Sequence, residues 1–203
     1  MQYSKNGERK ILAESKEILT NLKYGRIAQL EPLFDILEKD FKSFLSNIDS
    51  NTVLVPTPKS SPLVDKATWP ALKIANKLLE KGYGREVKPI LNRIKAVPKA
   101  ALQGNADERP LWTKHFETIK CDNIQHSINP ITKIAIVDDV ITQGRTTVAC
   151  YKRLKEKFPD AEIFIFTPFR TISFDKISTV IFPAESTIKY YDSGKTYTEH
   201  LHK

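Results

Sequence analysis

Apolar residues recur every three or four positions from about Arg9 to Ile48, and this part of the chain predicts helices. One series is Ile11, Leu12, Ile18, Leu19 and Leu22; a second is Ile27, Leu30, Phe34, Leu37, Phe41, Leu45 and Ile48. Such spacing lays an apolar stripe along one side of a helix, and that stripe has to be buried. Gly25 separates the two series. Pro32 suits the first turn of the second helix, where a missing N–H costs nothing. The expected form is a helical hairpin or a bent helix, used for core packing, as a hood over a substrate or as a dimer contact.

From Thr52 the pattern changes. Thr52 to Val55 predicts a short strand ended by Pro56 and Pro58. Ala71 to Leu79 has helical periodicity, closed by Gly82 and Gly84. Glu86 to Leu91 predicts a second strand. No periodicity runs from about Lys95 to Pro130, a stretch holding Pro98, Gly104 and Pro110; a connection that long inside a domain is usually a functional loop or lid. Lys133 to Val137 is strongly apolar and predicts a central strand. Thr146 to Lys157 predicts a helix closed by Phe158 and Pro159, and Glu162 to Thr167 and Thr179 to Phe182 predict two more strands. The polar last twenty or so residues are expected to be loop or a fraying edge. Strands alternating with helices imply an α/β fold, a parallel sheet flanked by helices on both faces. The expected organisation is a helical extension over residues 1–50 and an α/β core over 51–203, with a flexible loop at about 95–130.

Composition narrows the setting. The 203 residues are 40% hydrophobic and 28% charged, ordinary globular values that exclude a disordered or fibrous chain. Apolar runs such as Ile134 to Val137 and Ile163 to Phe166 fall far short of the roughly 20 residues a bilayer requires. The first ten residues carry no apolar signal core. Cys121 and Cys150 are too few for a disulfide scaffold or a zinc cluster. A soluble protein of the reduced cytoplasm, with no membrane partner, is expected. The net charge is +8, from 32 basic and 24 acidic residues. Residues 1–50 balance at eight of each sign, whereas residues 84–120 hold eight basic against four acidic and residues 145–157 five against one. Positive charge in the middle of the chain favours a polyanionic ligand, leaving nucleic acid and phosphorylated small molecules both open.

The segment Ile134 to Val148 carries the chemistry. An apolar strand runs into two adjacent carboxylates, Asp138 and Asp139, then Thr142, Gln143, Gly144, Arg145, Thr146 and Thr147, and then a helix. A strand-to-helix turn of this kind is suited to phosphate. Gly144 lets the backbone curl so that N–H groups converge, the helix adds its positive end, three hydroxyls can donate, and Arg145 adds a cation. Carboxylates beside a phosphate repel it unless they bind something else; ribose hydroxyls and a hard cation such as Mg²⁺ are suitable. Phosphate on the loop and a diol on the acid pair describe a ribose 5-phosphate.

The stretch Asp138-Asp139-Val140-Ile141-Thr142-Gln143-Gly144-Arg145-Thr146 resembles the phosphoribosyl pyrophosphate (PRPP) loop of the type I phosphoribosyltransferases. Gln143 and Arg145 depart from that family's commonest residues, and Thr142 stands where its purine-salvage branch has an aspartate base. Val53 to Pro58, with Lys59, Ser60 and Ser61 following, resembles the family's first strand and pyrophosphate turn. Leu91 to Phe116 is loosely similar to the flexible loop of the competence-associated (ComF-like) branch through Arg93, Lys95, Leu102, Glu108, Arg109 and Phe116. That branch's amino-terminal cysteine cluster and its Gly-Phe-Asn-Gln motif are missing.

The resemblance implies a type I phosphoribosyltransferase-like fold over about residues 51–183 and a Mg²⁺-dependent enzyme that transfers ribose 5-phosphate from PRPP to a nitrogen acceptor, a nucleobase or amine, releasing pyrophosphate. It implies catalytic roles for Asp138, Asp139, Arg93 and Arg109, and metal binding by Asp138 and Asp139, directly or through ribose hydroxyls. It places the 5′-phosphate on Thr142, Gln143, Gly144, Arg145, Thr146 and Thr147. Lys59, Ser60, Lys95 and Lys99 would take the pyrophosphate beneath a mobile basic lid. A homodimer is expected. Trp69, Tyr190 and Tyr191 are candidates to stack on the acceptor. The competing expectation is a non-catalytic PRPP- or nucleotide-sensing regulator on the same fold, able to bind nucleic acid through its basic surface.

Overall fold

The computed structural model describes residues 31–40, 42–98, 109–123, 130–170 and 185–200, with scattered positions between 17 and 28. The expected strand at Thr179 to Phe182 and most of the first helical series lie outside the described residues, as do Lys99, Leu102 and Glu108. In chain order the elements begin with α1 (Glu31–Asp40), α2 (Lys42–Leu45), β1 (Thr52–Pro56) and α3 (Pro70–Glu80). Next come β2 (Glu86–Val87), β3 (Leu91–Arg93), α4 (Trp112–Glu117) and β4 (Ile119–Cys121). The carboxyl-terminal part holds β5 (Lys133–Val137), β6 (Val140–Ile141), α5 (Arg145–Lys157), β7 (Glu162–Phe166), β8 (Phe169–Arg170), β9 (Ser186–Tyr190) and β10 (Thr196–His200).

The fold is α/β. Its main sheet is parallel, in the order β2-β1-β5-β7. In β1 and β5 nearly every residue is buried, as expected of central strands covered on both faces. Alternation decides which face each side chain serves. Leu54, Ala135 and Val137 pack with Ile74, Ala75 and Leu78 of α3 and with Phe34 and Leu45. Val53, Val55, Ile134 and Ile136 point the other way, onto Ala149, Cys150 and Leu154 of α5 and onto Leu91 and Ile119. β1 therefore continues into a helix on one face and β5 into a helix on the opposite face. Their carboxyl ends form the switch point at which open parallel sheets leave a crevice.

Hydrogen bonds beyond the ladder pin the two central strands at both ends. At the amino end, Asp49 accepts from Asn51 N (2.8 Å), Thr52 Oγ1 (3.1 Å) and Lys133 Nζ (2.8 Å), so the neighbours Thr52 and Lys133 share one carboxylate. The lysine bond is the main reason that the Asp49 carboxyl is held below its ordinary pKa. At the carboxyl end, Thr57 N donates to Val137 O (2.9 Å) and prolongs the ladder.

Several elements differ from those the sequence predicts. The single strand at Glu86 to Leu91 is two short strands, because Pro89 has no N–H for a ladder and interrupts the run. β3 leaves the main sheet and pairs antiparallel with β4, Arg93 opposite Ile119. The stretch at 95–130 holds α4 and β4, which apolar period alone does not reveal in elements of six and three residues. The polar carboxyl end forms an antiparallel hairpin of β9 and β10 with Gly194 in its turn. Its alternation of Thr, Tyr, Ile and Lys is a half-exposed strand signal in a segment of low hydrophobicity.

The described part of the amino-terminal region shares the core of the sheet. Leu22, Phe34, Leu45 and Ile48 are all buried in the cluster that holds Leu54 and Ile74. Lys77 pairs with Glu31, and Lys81 lies within 3.6 Å of Glu31 and 3.4 Å of both Asp35 and Glu38, so α1 and α3 meet through an ion network as well as an apolar contact. No helix among the described residues is long and apolar enough to cross a membrane. Phe34 is fully enclosed, so Phe34→Ala is expected to destabilise the whole α/β unit by about 3–5 kcal/mol. Urea unfolding monitored by a probe in the sheet checks this; an unchanged midpoint would show that α1 is not part of the cooperative core.

Candidate functional site

The crevice at the switch point is lined by the turn after β1 and the turn after β5. They touch through a buried hydrogen bond: Thr57 Oγ1 donates to Asp138 Oδ1 at 2.7 Å. Trp69 Nε1 in turn donates to Thr57 O (2.7 Å), and Asp139 N donates to Asp138 Oδ1 (3.0 Å). Asp138 is 9% exposed, while Asp139 is half-buried. Burial, with the neighbouring Asp139 charge second, pushes the Asp138 carboxyl up to about 8; the Thr57 bond works in the opposite direction. Two carboxylates from one turn are a donor set of the kind Mg²⁺ accepts, since that ion usually takes one or two carboxylates and completes its shell with substrate and water. The burial and the neighbouring Asp139 charge that raise Asp138 are what such an ion would offset. Among the described residues no group of three or more His, Cys, Asp or Glu side chains converges.

The turn after β5 has the form its residues predict. Gly144 caps α5 with φ +69°, a left-handed conformation that favours glycine. Val148 N finds Gly144 O at 2.8 Å, so the first intrahelical bond closes on Gly144 and the N–H groups of Thr146 and Thr147 lie in the first turn, ahead of the helix ladder. They sit at the positive end of a 13-residue helix. Thr147 Oγ1 donates back to Gly144 O at 2.7 Å, which removes it from the donors available to a ligand. Thr142 is exposed, and Gln143 and Thr146 are half-buried. Arg145 departs from expectation: Nη1 donates to Arg109 O (2.5 Å) and Pro110 O (3.4 Å), tying the middle of the 95–130 stretch to the start of α5.

Arg93 is also internal. It is 4% exposed; Nε donates to Lys59 O (2.9 Å) and Nη1 to Thr118 Oγ1 (2.6 Å) and His115 O (3.3 Å). Val97 N donates to Ser60 O at 2.8 Å. The carbonyls of Lys59 and Ser60 are thus both held from the β3 side. In a trans peptide the following N–H points the opposite way, so the Ser60 N–H faces away from Arg93 and the Ser61 N–H away from Val97. A small cleft lies beside this turn, lined by Lys59, Ser61, Trp69, Asn92 and Arg93.

The structure thus brings Asp138, Asp139, Lys59, Ser60 and the 142–147 turn to one edge of the sheet. Lys95 is exposed two residues past β3, Arg109 is half-buried beside Arg145, and Lys99 lies outside the described residues. Trp69 is a buried support for Thr57, and Tyr190 packs on Trp112 at 6.0 Å between ring centroids, so of the three proposed stacking residues Tyr191 has the freest ring, 53% exposed.

Sequence reasoning missed three residues at this edge. Thr57 had a weak signal, a hydroxyl between two prolines at a strand end. His115, from the supposed loop, lies 3.3 Å from Arg93 Nη2 and 3.5 Å from Thr146 Oγ1 through Nδ1. Burial first, then Arg93 and Arg145, lowers its pKa to about 4 and keeps it neutral. Thr196, from the unforeseen hairpin, donates to Gln143 O at 2.6 Å.

The two shifted groups give stability opposite pH dependences. Asp138 is raised from 3.8, so its contribution is complete below that value and is lost as pH rises towards 8. His115 is lowered from 6.5, so its contribution is complete above 6.5 and is lost as pH falls towards 4. Between about pH 6.5 and 8 only Asp138 titrates of the two, and stability should fall with rising pH there. Asp138→Asn is expected to flatten that fall in urea titrations; a slope identical to wild type would show that Asp138 is ionised throughout. No protein-family model matches the chain, and no curated protein does, so the chemistry of this edge rests on its own geometry.

Proposed function

We propose that the chain is a phosphoribosyltransferase on a type I fold, which moves ribose 5-phosphate from PRPP to a nitrogen acceptor, a nucleobase or amine. The observation that carries this reading is a single juxtaposition. A left-handed Gly144 opens the amino end of α5, an acid pair stands at the end of β5, and both lie beside the turn after β1, joined to it by the Thr57–Asp138 bond. A phosphate ester, a vicinal diol and a second anionic group are the three chemistries that such an edge suits.

In this reading the N–H groups of the 144–147 turn and the Thr146 hydroxyl hold the 5′-phosphate, and Asp139, the less buried of the acid pair, accepts from the ribose hydroxyls. Lys59 and the N–H groups of Ser60 and Ser61 meet the pyrophosphate. The anomeric C–O bond breaks with its electron pair passing to pyrophosphate, a bond to the acceptor nitrogen forms, and the acceptor's proton goes to water. Donors fixed before the reaction stabilise the departing charge without reorganising. Asp139, with Asp138 behind it, would hold Mg²⁺, which supplies positive charge to the leaving group. Arg93 acts through Lys59 by aiming the pyrophosphate turn, so it is a positioning residue here. The segment between β3 and β4 would carry the basic lid.

One observation favours a second reading. Arg93 and Arg145, two of the cations expected to serve the anionic groups, engage backbone carbonyls of the chain itself. A regulator that binds PRPP or a nucleotide without turning it over needs fewer free cations, and the basic surface leaves it nucleic acid as a partner. Pyrophosphate release from PRPP and Mg²⁺ across a panel of bases and amines separates the two. The enzyme reading expects release with at least one acceptor, abolished in the Asp138→Asn, Asp139→Asn double variant with its circular dichroism unchanged. PRPP binding without release, or equal turnover in the double variant, would reject it.

A further inference from the structure

We infer that the carboxyl-terminal hairpin is a buttress for the anion turn and that Thr196 is a positioning residue that aims the Gly144 N–H. The inference rests on the reading of the 142–147 turn as a phosphate-ester site. It starts from the plane of one peptide. Thr196 Oγ1 donates to Gln143 O at 2.6 Å. In the trans peptide joining Gln143 to Gly144, carbonyl and N–H point in opposite directions, so a donor fixed on the carbonyl turns the N–H away from the hairpin. The next peptide is held in the same manner: Gly144 O accepts from Thr147 Oγ1 (2.7 Å) and Val148 N (2.8 Å), which turns the Arg145 N–H outward. Two successive N–H groups are thus set from behind, one by the helix itself and one by a strand more than fifty residues away.

The close approach of the hairpin needs glycine. A Cβ on Gly144 would lie 2.6 Å from Ile188 Cδ1 and 3.2 Å from Ile188 Cγ2. Ile188 and Thr198 are opposite each other across the two strands, as are Tyr190 and Thr196, so Ile188, Tyr190 and Thr196 share the inner face. That face is anchored away from the turn. Trp112 N donates to Gly194 O (3.1 Å) and Trp112 Nε1 to Tyr191 O (2.8 Å), while Lys152 Nζ stands 4.9 Å from the Tyr190 ring centroid. Gly194, at φ +82°, permits a similar approach to Leu111, whose Cβ would be 2.8 Å from an added Cβ. The anchors lie on α4 and α5, so the hairpin is braced against the same helix whose amino end it trims.

Loss of the Thr196 hydroxyl frees the peptide to rotate and weakens the anion, while the shape of the contact can be kept. Calorimetric titration of the full chain with ribose 5-phosphate tests this on wild type, Thr196→Val and Thr196→Ser. Thr196→Val is expected to weaken binding about three- to tenfold while its melting temperature falls by no more than a few degrees, and Thr196→Ser, which keeps the donor, to restore the affinity. Equal affinity in Thr196→Val and wild type overturns the inference and leaves the phosphate reading standing. No binding to wild type overturns both. A second measurement needs no variant: in ¹⁵N-labelled wild type, the Gly144 amide should shift among the most strongly when inorganic phosphate or ribose 5-phosphate is added. A Gly144 amide that stays still while neighbouring amides move would contradict the assigned direction of its N–H, whatever the fate of the valine variant.

Discussion

A buried carboxyl at the meeting of two strand ends sets the terms for this structure. Asp138 has almost no contact with water, and its partners include a hydroxyl from the turn after β1 and the N–H and side chain of Asp139. Removing a carboxylate from water without a cation is costly, so the group either keeps a proton or waits for a charge to arrive. The Thr57 bond fixes the distance between the two turns and thereby the width of the crevice. Trp69, by holding the Thr57 carbonyl, carries that constraint to the start of α3. The proposed function would require both turns to stay where the sheet places them, since a site with so little slack between its walls could hold a sugar at both ends only in that case.

The chain meets that requirement by holding carbonyls from behind. Lys59 O is held by Arg93, Ser60 O by Val97 N and Gly144 O by Thr147. Each contact uses a donor on the protein side to leave the adjoining N–H pointing outward. This accounts for residues that sequence reasoning assigns to the ligand and the structure places inside. Arg93 and Arg145 serve the backbone that would serve the anion, and a neutral His115 fits between a guanidinium and Thr146 because a charged ring would be repelled there.

Much of the fold was legible in the sequence where one physical signal dominated. Lys133 to Val137 is a run of residues buried on both faces, and Pro32 and Gly144 mark a helix start and a turn for reasons of backbone geometry alone. Legibility failed where the signal was short or shared. α4 and β4 are too brief for a period to emerge, Pro89 splits what reads as one strand, and the β9–β10 hairpin buries only alternate residues of a polar segment. At the site, the acid pair and the glycine could be read because they are adjacent in sequence. Thr57, His115 and Thr196 could not, because their roles arise from pairings across 81, 31 and 53 residues.

The most direct measurement is a crystal structure of the chain soaked with PRPP and magnesium. The account predicts the ester phosphate about 3 Å from the N–H groups between Gly144 and Thr147, with the ribose hydroxyls on Asp139. A sugar bound elsewhere, or that edge of the sheet left without the sugar at saturating ligand, would contradict it.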